Sequence, residues 1–134
     1  GSGSYGMNFC LPRLDQALAA LLGDLDERGM LDNTLVVVTG EFGRTPKILT
    51  QQPPGRQHWP RCFSSIMAGC GIAGGQVYGK TDRHAGYVAH NPVRPEEFSA
   101  SIYHALDIPL NEPQNNTGIS RPITTGKPIM ELFG

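Results

Sequence analysis

No apolar run in this chain approaches the roughly 20 residues that span a bilayer, so no membrane-crossing helix is expected. No charged, apolar and small-residue signal order opens it either, and the segment is expected to be soluble. Cysteine is scarce. Cys10, Cys62 and Cys70 cannot all pair and form no C-x-x-C unit, which argues against a disulfide framework and against a zinc knuckle. There is no excess of either charge: the formal net charge is -1 with 17% charged residues, so nothing draws the protein toward nucleic acid or an anionic membrane. Internal repeats are lacking, and low complexity is confined to Gly1-Ser-Gly-Ser4.

What is present fits one domain with a core, since 134 residues are too few for two ordinary ones. Residues 1–6 read as a tag, linker or disordered start, and residues 7–134 as the domain. Leu11, Leu14, Leu18, Leu21 and Leu25 recur at spacings of three and four, an amphipathic helix to be packed on a sheet. Pro12 suits its first turn and Gly29 its stop. Leu35 to Val38 is a β-branched run of the kind buried on both faces, ending in a small-residue turn with Glu41 and Arg44. The polar stretch Lys47 to Gln57 reads as a long loop covering a site, followed by His58-Trp59-Pro60 and a second buried strand within Cys62 to Ala68. Most of the 17 Gly and 11 Pro lie after residue 40, which makes this half loop-rich. A short strand and exposed turn span Gln76 to His84. A helix begins between Pro92 and Pro95, with Glu96-Glu97 in its first turn, and ends near Asp107 to Pro109. The tail to Leu132 is expected to hold an edge strand or hairpin. Helix, strand, loop, strand, glycine turn and helix in that order imply an α/β layered domain with a largely parallel sheet.

Chemistry concentrates at the ends of the two strands. Glu41 is a loop carboxylate paired with Arg44, or else a ligand for zinc or a harder cation with Arg44 beside it as an anion-binding group. His58 stands at the mouth of the second strand and would meet Glu41 if the long loop folds over the site. His84, His90 and His104 read as solvent-exposed or structural, and a site from Cys62, Cys70 and His58 fits no standard zinc spacing. Gly69-x-Gly71-x-x-Gly74 follows a strand like a dinucleotide fingerprint. It runs into Gly75-Gln-Val-Tyr-Gly79, which has no helical pattern, and a glycine turn is the expectation. Asn115-Asn-Thr117 is a formal glycosylation sequon that carries no weight.

Taken together, Leu11-Pro-Arg-Leu-Asp-Gln-Ala17, Leu35-Val-Val-Val-Thr-Gly-Glu-Phe-Gly-Arg-Thr-Pro46, Gly55-Arg-Gln-His-Trp-Pro60, Ala68-Gly-Cys-Gly-Ile-Ala-Gly-Gly75 and Val77-Tyr-Gly-Lys-Thr-Asp82 resemble the C-terminal part of the DUF1501 family, over residues 8–132. The resemblance implies a sulfatase-like protein of the alkaline phosphatase superfamily with a three-layer α/β/α sandwich. It further implies a metal-dependent hydrolase of phosphate or sulfate esters, acting on a small-molecule or polysaccharide ester and exported to the periplasm or cell exterior. By that likeness Glu41 and His58 fall at metal-ligand positions for a divalent ion, zinc or calcium, and Arg44 serves as an anion clamp. Phe42 departs from the pattern, where a second ligand is expected, and Gln57 stands where family members often carry Asp. The family's nucleophile region and a Trp-Asp-x-His segment are expected on an N-terminal part of the same domain. This polypeptide alone is then expected to hold about half a site and to be inactive. The rival expectation is a non-catalytic structural or interaction module that retains the fold.

Overall fold

The leucine spacing becomes one long helix. In the computed structural model, which describes residues 7–50, 54–111 and 122–134, α1 spans Met7–Glu27. It begins earlier than the proline suggested, so Pro12 lies inside it, where a proline removes one helical hydrogen bond. Beside it, Arg13 donates Nη1 to the Phe9 carbonyl at 2.9 Å and lays its guanidinium 3.4 Å from the Phe9 ring centre. The stop is as read: Gly29 takes φ +64°, its N–H reaches the Asp26 carbonyl, and the Met30 N–H reaches that of Leu25, a Schellman end.

A 3₁₀ turn, Leu31–Asn33, leads into β1, Val36–Val38. Then come β2 (Gly43–Arg44), β3 (His58–Trp59), β4 (Ile66–Ala68), β5 (Lys80–Thr81) and β6 (Val88–His90). They form three two-stranded sheets, β1 with β4, β2 with β3 and β5 with β6, all antiparallel. The expectation of a largely parallel, three-layer α/β/α sandwich is therefore corrected. Parallel neighbours need a crossover, usually a helix, between them. Here the segment from β1 to β4 holds no helix among its described residues and folds on itself as the β2–β3 hairpin. With one neighbour each, the valines of β1 are half-buried rather than buried on both faces, and Ile66 of β4 is 49% exposed.

The Lys47 to Gln57 stretch is also more ordered than expected on the residues described. Thr45 N–H bonds the Gln57 carbonyl, and Leu49 pairs with Gly55, so the hairpin continues outward as an arm. Arg56 braces its base, donating Nη1 to the Thr45 carbonyl at 2.6 Å and to that of Pro46. The tip, 51–53, and the 115–117 sequon lie outside the described residues.

The glycine segment turns without starting a helix, which removes the helix N-terminus that a dinucleotide site requires. Gly69, at φ +86°, approaches the Leu31 and Thr34 carbonyls so closely that a β-carbon would clash with both. α2 spans Pro95–Ala105, near the expected limits, and Glu97 reaches back to the Arg94 N–H at 2.9 Å. The tail forms no described strand; it runs along α2 to a 3₁₀ turn, Met130–Leu132. Ser101, fully buried, donates Oγ to the Glu97 carbonyl at 2.8 Å and accepts the Ile129 N–H at 2.9 Å, fastening tail to helix. Among the described residues only Leu25, Cys62, Ala100 and Ile129 are buried apolar side chains.

Candidate functional site

The short β2–β3 pairing decides which predicted residues meet. Its register sets Arg44 directly opposite His58 and Gly43 opposite Trp59. Opposed residues of an antiparallel pair share a face, so Arg44 and His58 lie together, and Phe42, in the bend before β2, joins them by contact. The contacts follow: the Phe42 and His58 rings lie 4.0 Å apart at 37°, and the Arg44 guanidinium carbon is 5.8 Å from the Phe42 ring centre. Arg44 and His58 are both exposed, and Arg44 makes a long 3.5 Å contact with the Arg56 carbonyl.

Glu41 stands just outside β2, in the bend before it, and is exposed. Among the described residues the one ion pair is Arg28 with Asp24, so Glu41 is bound neither to Arg44 nor to His58. The loop carboxylate paired with Arg44 is thus not formed. Gly43 is required by the approach of the next segment: a β-carbon there would collide with the carbonyls of Cys62 and Trp59.

The site is anchored from behind by Trp59. Its indole Nε1–H donates to the Gly86 carbonyl at 2.6 Å and its ring meets Tyr87 edge-on at 5.6 Å, which ties β3 to the β5–β6 turn. That turn is organised by Asp82, whose Oδ1 accepts the N–H of Gly86 at 2.9 Å and of His84 at 3.0 Å. The Gly86 N–H above all, with those of His84 and Tyr87, holds the Asp82 carboxyl below its ordinary pKa, against a smaller opposing effect of desolvation.

Sequence reasoning passed over Asp82, Arg56 and a hydroxyl pair, Thr39 and Ser65, whose oxygens are 2.6 Å apart where β1 ends and β4 begins. Asp82 carried a usable signal, an aspartate two and four residues before the amides of a tight turn. His84, His90 and His104 are exposed, with His104 edge-on to Phe133 at 4.7 Å. No group of three His, Cys, Asp or Glu able to hold a metal occurs among the described residues, so Cys62, Cys70 and His58 do not converge. Glu41 and His58 supply two donors of the oxygen and nitrogen types that zinc accepts, one short of the three protein ligands of an open catalytic site. These residues alone do not fit a complete metal centre.

The family model described as "Protein of unknown function (DUF1501)" matches residues 4–133. No curated protein and no solved structure matches the chain. No helix among the described residues is long and apolar enough to cross a membrane.

Proposed function

The chain belongs to the DUF1501 family, and from that premise we propose that it carries the anion-binding face of a sulfatase-like ester hydrolase of the alkaline phosphatase superfamily. In this reading it is the C-terminal part of a metal-dependent enzyme for phosphate or sulfate esters. The observation that carries the reading is the cross-strand pair of Arg44 with His58, two exposed nitrogen-rich side chains on one face of a ribbon. A guanidinium there offers two parallel N–H groups to a tetrahedral oxyanion, the geometry in which arginine excels. His58 lies beside it with its ring set by Phe42, and Glu41 stands in the bend that precedes β2. A divalent ion held by Glu41 and His58 needs further donors from residues outside this constellation, as does the nucleophile.

The first test is metal content. The full-length protein should carry a divalent ion that is lost in the Glu41→Ala, His58→Ala double variant; unchanged content in that variant refutes the ligand pair. Arg44→Ala should weaken turnover of aryl phosphate or sulfate esters by about 10–100-fold, the loss of one charged hydrogen-bonding partner of about 1.5–3 kcal/mol.

One observation favours a second reading, a non-catalytic module. Phe42 stands in contact with the His58 ring, which gives that histidine a packing partner and hence a structural role. In that case His58→Ala lowers thermal stability without changing metal content.

A further inference from the structure

The even net charge of the chain conceals an uneven distribution. From Phe42 to His90 the sequence carries six lysines and arginines, Arg44, Lys47, Arg56, Arg61, Lys80 and Arg83, and a single acid, Asp82, so this stretch is cationic while the rest of the chain is acidic. All six are exposed, and none of them forms an ion pair among the described residues. The one acid is engaged by its own turn, where its Oδ1 accepts the amides of Gly86 and His84. The fold gathers these charges. Arg44 lies on the β2–β3 ribbon, Arg56 braces the ribbon through the Thr45 and Pro46 carbonyls, and Lys47 comes next in sequence. The Trp59 indole holds the Gly86 carbonyl, and Pro46 lies so near Gly86 that a β-carbon there would sit 3.3 Å from its Cγ, which sets the turn carrying Arg83 against the ribbon beside Lys47.

We propose that the β2–β3 ribbon and the β5–β6 turn form one surface that binds a sulfated polysaccharide, with Arg44 and His58 taking one sulfate and Lys47, Arg61 and Arg83 holding others along the same polymer. The binding of a polyanion rests on charge and placement alone; the choice of a sulfated polymer rests on the reading of Arg44 and His58 as an ester site, which it narrows. Three observations select this ligand. Small-molecule sites are concave and bury most of what they hold, whereas Arg44 and His58 stand exposed on an open ribbon, so affinity has to come from several contacts spread along a polymer. Unpaired cations also resist being covered by other protein, because a charge buried without a partner is costly; a hydrated anionic chain suits them better. A nucleic-acid strand, finally, is gripped by stacking its bases on free aromatic faces. The two rings here are already engaged, Phe42 with His58 and Trp59 with Tyr87 and Gly86.

The test is equilibrium binding of the full chain to dextran sulfate, to unsulfated dextran and to an oligodeoxythymidylate, over a range of salt concentration. Dextran sulfate should bind, with an affinity that falls steeply as salt is raised, and unsulfated dextran should not. Lys47→Glu and Arg83→Glu, with circular dichroism like that of the wild type, should each weaken binding about five- to tenfold, the effect of reversing one exposed ionic contact. Lys127→Glu makes the same change of charge at an exposed position in the tail and should leave binding as it was. Failure to bind dextran sulfate, equal binding of unsulfated dextran, equal affinity for the oligodeoxythymidylate, or an equal loss in Lys127→Glu overturns the proposal. Binding is read without turnover, so the two readings fail separately: an active hydrolase that ignores dextran sulfate sinks the polysaccharide surface alone, and an inactive protein that binds it sinks the hydrolase reading alone.

Discussion

Asp82 illustrates how one side chain shapes the surroundings of the candidate site. It accepts two amides of its own turn, and that turn supplies the carbonyl on which the Trp59 indole is moored. Its folded-state pKa lies below the unfolded one. The resulting contribution is therefore fully present above the ordinary aspartate value of about 3.9 and is lost as pH falls through the lower folded value. Melting temperature followed from neutral pH into this acid range should fall in the wild type, and Asp82→Asn should be less stable near neutrality and fall less steeply. Equal slopes in the two proteins would show that Asp82 is not the titrating group. At this scale the sequence was partly legible. Arg44 and His58 could be singled out because polar residues at strand mouths are conspicuous. The pairing of Phe42 with His58 was not, because the 15 positions between them are closed by a hairpin register that local pattern does not encode.

Elements divide along the same line between local and distant causes. Both helices were readable, α1 from its leucine period and Gly29 stop, α2 from Pro95 and the acidic first turn at Glu96 and Glu97, since all of these act within a few residues. The start of α1 was misplaced because a proline tolerated inside a helix looks the same in sequence as one that opens it. Strands β1 and β4 formed within the apolar runs that suggested them, whereas the short strand expected at Gln76 to Tyr78 formed instead as β5 at Lys80–Thr81, and the partners were misjudged: a β-branched run announces extended backbone and says nothing about direction. The tail is the clearest case of a tertiary element. It has no pattern of its own and is held by Ser101, by the Thr124 hydroxyl on the Glu96 carbonyl at 3.0 Å, and by the close approach of Gly126 to the same residue. Ser101→Ala should destabilise the protein by about 1–3 kcal/mol, because the Ile129 N–H loses its acceptor while remaining buried. Urea denaturation measures this, and hydrogen exchange should show the loss concentrated at Ile129.

For the whole molecule the layered fold class was the largest misjudgement, and its source is countable. Helices precede β1 and follow β4, but none among the described residues lies between them, so element order resembled an α/β alternation without its crossover. The result is a chain that buries little: four apolar side chains are buried among the described residues, whereas fifteen large ones are exposed.

The mooring of Trp59 has a practical meaning beyond architecture. It is the only tryptophan in the chain, half-buried, and adjacent in sequence to His58. Its emission is therefore a one-site optical signal from the seam between β3 and the β5–β6 turn. Because the indole N–H is engaged by a backbone carbonyl, breaking that bond alters the polarity felt by the excited ring directly. Were an anion or metal ion to bind at Arg44 and His58 as proposed, it would be sensed one residue away, without a label and without an assay for turnover.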